Sequence, residues 1–87
     1  MNNRSETVIL DFPVQLADRR LEEVTIRRPT MADLRKYPLK GPGDIEGEMK
    51  QIGALCELRL EEMDMIDSAD YTRLQDAYVR FRTPAER

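Results

Sequence analysis

Histidine and tryptophan are absent from the 87 residues, and cysteine occurs once, at Cys56. Without histidine there is no Cys-His or Ser-His pair to activate a nucleophile, and no imidazole metal ligand. A lone thiol cannot staple the fold, so the chain is expected in a reducing compartment with packing as its source of stability. Long apolar runs are missing too: none approaches the ~20 residues of a membrane span, and the start, MNNRSET, lacks the apolar stretch of a secretory signal. A soluble, cytoplasmic protein that does not engage membranes is expected. Basic residues are outnumbered, 14 against 17, for a net charge of −3. No overall field therefore draws the chain to nucleic acid or anionic lipid.

What is present is charge and period. Charged residues make up 36% and hydrophobic residues 40%, too apolar and too regular for disorder. A chain of this length supports one core, and a domain so small buries only about 60–65% of its unfolded surface. The modest core makes self-association plausible. Residues 1–36 carry seven basic and six acidic side chains, whereas 37–87 carry seven and eleven, so the second half is the acidic one.

Residues 7–16, TVILDFPVQL, alternate with period two and bring Val8, Leu10, Phe12, Val14 and Leu16 to one face. Pro13 cannot donate to a ladder, so this strand is placed at an edge or is interrupted there. LEEVTIRR alternates again through Val24 and Ile26, and the two runs, 7–16 and 21–28, are expected to pair as a tight antiparallel hairpin across ADRR. Pro29 ends the second strand. Thr30 then caps a short helix, 31–36, with Asp33 at its third position in the manner of a capping box and Met31 and Leu34 inward. Pro29, Thr30 and Asp33 thus form a structural joint between strand and helix, leaving Arg27 and Arg28 in solvent at the strand end.

YPLKGPGD is a loop, having two prolines and two glycines in eight residues. A helix over 44–58 then sets Ile45, Met49, Ile52, Leu55, Cys56 and Leu58 on one side, with Gly53 allowing close approach of a neighbour. A short helix at 61–66 points Met63 and Ile66 inward. The last, 68–82, is capped by Asp67, with Asp70 as the cap's partner, and carries Tyr71, Leu74, Tyr78 and Phe81 as a stripe. The expected architecture is α+β: an N-terminal hairpin followed by three to four helices, a single domain over 7–82, a disordered start at 1–6 and a frayed end at 83–87.

Catalytic signatures are not found, and no cofactor or metal is expected. Cys56 falls on an apolar helix face, where thiols are usually inert. The acids of EEMDMIDSAD, among them Asp64 and Asp67, suit a divalent cation by type but not by spacing, and capping explains them better. Arg27, Arg28 and Arg35 suggest a small nucleic-acid-binding regulator as the alternative function, although stacking aromatics are lacking nearby. Met49, Ile52, Met63, Tyr71 and Tyr78 are the candidate partner-binding residues, since methionine and tyrosine favour adaptable interfaces.

The order of these features resembles the small tail assembly chaperones of tailed phages and of Mu-like and P2-like prophages, the group described as tail assembly protein E. The likeness runs from about Thr7 to Phe81 and is most specific at IRRPTMADLR and IDSADYTRLQ; ADRR stands where relatives often have a glycine-containing turn. The resemblance implies a non-enzymatic assembly factor of the bacterial host cytoplasm that is absent from the mature virion. It implies binding to the tape measure protein, which it keeps soluble, and recruitment of tail tube protein during tail morphogenesis. Such proteins often occur in short and frameshift-extended forms, and the resemblance implies that a chain of 87 residues would correspond to the short one. An apolar groove that takes a helical client is compatible with that role.

Overall fold

In the structure, a computed structural model that describes residues 4–84, both alternating runs are strands, β1 (Ser5–Gln15) and β2 (Arg20–Arg27). They pair antiparallel as a two-stranded sheet. Four helices follow: α1 (Met31–Lys36), α2 (Ile45–Cys56), α3 (Leu60–Met63) and α4 (Ser68–Arg82). The arrangement is α+β. β1 starts two residues before the expected Thr7, because Ser5 and Glu6 still find partners in Arg27 and Ile26. The connection is tight, the Leu16 N–H donating to the Arg19 carbonyl at 2.8 Å. The parts of the expected termini at 1–3 and 85–87 lie outside the described residues.

The helices cover one face of the hairpin, α2 against β2 and α4 against β1, with α3 tucked beside α2. Val8, Leu10, Val14 and Leu16 of the first run and Val24 and Ile26 of the second supply the sheet side of the core. Ile52, Leu55, Met63, Leu74, Ala77 and Tyr78 supply the helix side.

Phe12 shares the parity of the buried β1 residues, yet it is exposed. The register breaks between Ile9, opposite Glu23, and Val14, opposite Leu21, so β1 bulges where Pro13 removes a donor. The bulge turns the N–H groups of Asp11 and Phe12 towards α4, where both donate to the Asp70 carboxylate at 3.0 Å. Asp70 is fully buried and also accepts from Arg73 at 2.7 Å. It is therefore not the partner of the Asp67 cap, as its spacing suggested, but the clamp that joins α4 to the interrupted strand. Asp67 does cap α4, accepting the Ala69 N–H at 2.9 Å.

Two other expected orientations change. Met31 and Ile45 are exposed: α1 turns only Leu34 towards the core, and the buried residues of α2 begin at Gln51. In place of Ile45, α2 buries Gln51. α2 also ends at Cys56 rather than at 58. Glu57 adopts the left-handed conformation, and the N–H groups of Glu57 and Leu58 return to the Ala54 and Gly53 carbonyls in a Schellman motif. Gly53 permits the reversal, since a Cβ there would lie 2.9 Å from the Leu58 carbonyl oxygen. α3 starts at Leu60, one residue early, with Glu62 accepting the Arg59 N–H at 2.9 Å.

Candidate functional site

The joint Pro29-Thr30-Asp33 forms, and it includes Arg27. Asp33 accepts the Thr30 N–H at 2.7 Å and pairs with two nitrogens of Arg27 at 2.7 and 2.9 Å. Hydrogen bonding to Arg27, then to Thr30, holds the Asp33 carboxyl far below its ordinary range. The neighbouring Arg28 lies with its guanidinium 5.0 Å from the Phe81 ring centroid and donates to the Phe81 carbonyl at 3.1 Å. Both arginines are exposed, as the sequence suggested, but neither is idle. Their local duty is to bind β2 to α1 and to the end of α4.

A polar seam runs between α2 and α4. Gln51 donates to the Tyr37 carbonyl and accepts from the Tyr78 hydroxyl, both at 2.6 Å. One turn earlier, Glu48 accepts from the Tyr71 hydroxyl at 2.7 Å and from Gln75 at 2.6 Å. Burial, reinforced by Glu48, pushes the Tyr71 phenol up. No buried side-chain nitrogen or oxygen among the described residues lacks a partner. The seam therefore fixes how the helices sit and also ties the 37–44 loop to α2.

Of the five residues picked from the sequence for partner binding, Ile52, Met63 and Tyr78 belong to the core, at 0%, 2% and 7% exposure. A partner does not reach them in this conformation. Tyr71 is half-buried, with its hydroxyl engaged by Glu48. Met49 is also half-buried, and it lines a shallow groove with Tyr37, Ala54, Leu58 and Leu60. Lys50 and Arg59 also line this groove, each paired with an acid on its own helix end, Glu46 and Glu62. Beyond Tyr37 the surface continues into a charged concavity bearing Lys36, Lys40 and Lys50 beside Asp44 and Glu46. The result is an apolar strip along α2 with basic side chains at its margins.

Tyr37 and Leu60 were not singled out, and Leu58, a core residue at 8% exposure that shows only its edge here, was read as part of the apolar side of α2; the distance of Tyr37 from the other two in sequence hides their meeting in space. The proline after Tyr37 was the available signal: it fixes the chain where the tyrosine turns back to α2. Burial pushes the Cys56 thiol up to about 12, so at neutral pH it is an uncharged packing group and not a nucleophile. Asp70 and Asp67 are engaged at different backbone sites, and no described helix is long and apolar enough to cross a membrane.

Among protein families, the model for phage tail assembly chaperone proteins, E, or 41 or 14, matches residues 7–82. No curated protein and no solved structure matches the chain.

Proposed function

Since the chain belongs to the phage tail assembly chaperone family, whose model matches residues 7–82, from within β1 to the end of α4, we propose that it binds the tape measure protein, keeps it soluble and helps to recruit tail tube subunits around it. The observation that carries this reading is the groove of Tyr37, Met49, Ala54, Leu58 and Leu60. Its occupant is an amphipathic helical segment, laid with its apolar stripe on α2 and its acidic flank towards Lys50 and Arg59. The polar seam beneath keeps the groove in shape, so the client meets a preformed surface.

This role belongs to the host cytoplasm during assembly, before the mature virion, and involves no catalysis. Co-expression with the tape measure protein of the same locus tests it. The expected result is a complex that co-purifies and a larger soluble fraction of tape measure protein. If tape measure protein stays insoluble and unbound in the presence of the chain, the proposal fails.

A further inference from the structure

We infer that two copies of this chain associate through β2, which pairs antiparallel with β2 of the second copy about a two-fold axis at Thr25 and joins the two hairpins into one four-stranded sheet. This inference is independent of which client the chain holds.

The hydrogen-bond phase of the hairpin leads to it. The Arg28 N–H donates to the Arg4 carbonyl at 2.7 Å, which makes Arg4–Arg28 a hydrogen-bonded pair. Antiparallel ladders alternate, so the pairs Glu6–Ile26 and Val8–Val24 are also bonded, and Ser5–Arg27, Thr7–Thr25 and Ile9–Glu23 are not. Two contacts agree with this phase. The Thr7 and Thr25 hydroxyls meet at 2.8 Å, as side chains of a non-bonded pair do, and the Ile9 carbonyl turns away from β2 to accept from Arg73. The backbone N–H and C=O groups of Glu23, Thr25 and Arg27 therefore point away from β1.

No further strand pairs with that edge among the described residues. On the β1 side, α4 occupies the corresponding groups through Asp70 and Arg73. Along the β2 edge there is instead an open groove, with Leu55, Cys56 and Leu58 at its side. An unpaired edge of this kind is a template for another strand.

The sequence of the edge selects a second copy as that strand. Residues 22–28 read EEVTIRR, and their charge pattern is inverted about Thr25. In an antiparallel pairing centred there, Glu23 faces Arg27 of the second copy, Glu22 faces Arg28, Val24 faces Ile26 and Thr25 faces itself. The bonded positions of this new ladder are 23, 25 and 27, the same three whose backbone groups point outward, which gives about six hydrogen bonds. A shift of one residue in either direction destroys both the charge match and the phase. Glu23 is exposed and has no ion pair with another described residue. Arg27 already holds Asp33, so Glu23 of the second copy completes a three-member charge network.

Sedimentation of the full chain over a concentration series tests the pairing. The wild type is expected to form a reversible dimer of twice the 10.2 kDa chain mass. Glu23→Lys sets like charges opposite each other at two symmetric places and should raise the dissociation constant about tenfold or more. Thr25→Pro removes an outward N–H that the hairpin does not use and should leave a folded monomer by circular dichroism. If Thr25→Pro does not fold, Glu23→Lys decides alone. A wild type that stays monomeric up to about 1 mM, or a dimer whose affinity Glu23→Lys leaves unchanged, overturns the inference.

Discussion

Asp70 shows how much one side chain determines here. It is the only described acid with a fully buried side chain, and it receives two backbone N–H groups of the β1 bulge as well as Arg73. Burial alone would raise its pKa, but Arg73 and the two N–H groups outweigh that effect and hold it below the ordinary value of 3.8. Asp70→Ala strands those donors and is expected to cost about 2–4 kcal/mol in urea unfolding. Asp33, lowered through Arg27, acts in the same direction. A carboxyl whose pKa falls on folding adds stability that is complete above its unfolded value and drains away as pH falls towards the folded one. The melting temperature should therefore hold down to about pH 4–5 and drop in stronger acid, with a shallower acid limb in Asp70→Asn. The sequence placed Asp70 on α4 but gave it a cap's duty. Capping is local and visible, whereas the bulge it serves lies almost sixty residues upstream, marked only by Pro13.

The elements themselves were largely legible, because their signals are local. Thr30 with Asp33 and the Asp67 cap fix the starts of α1 and α4, and period-two alternation finds both strands. Where the sequence misled, a long-range contact or an unfavoured conformation prevailed. Phe12 left the core because the bulge rotates it outward, and α2 stopped at Cys56 because Glu57 accepts a left-handed backbone. That conformation costs a residue with a Cβ about 1–2 kcal/mol, so Glu57→Gly should stabilise the chain by about 1 kcal/mol in thermal or urea melts. Gly53→Ala should act the other way, since its Cβ meets the Leu58 carbonyl and the Met63 side chain. The expected loss is at least the ~1 kcal/mol scale of a strained helix end.

At the scale of the whole molecule, core and client surface divide residues that look alike in one sequence. Ile52, Met63 and Tyr78 hold the hairpin to the helices, while Met49 alone of the five chosen residues lines the groove. Periodicity identifies an apolar helix side but does not say how wide the packed stripe is. That width is set by where α2 crosses β2 and where the 37–44 loop returns. Truncation of Ile52 to alanine should cost about 2–5 kcal/mol and reduce client binding only by unfolding the chain. Met49→Asp, at a half-buried margin, should leave the melting temperature within a few degrees yet weaken binding about tenfold or more. The measurement that bears most directly on the assembly role is an NMR titration of the labelled chain with helical segments of the tape measure protein. Saturable shifts concentrated at Tyr37, Met49, Ala54, Leu58 and Leu60, and lost in Met49→Asp, are the predicted result. Shifts confined to other surfaces, or none with any segment, would contradict it.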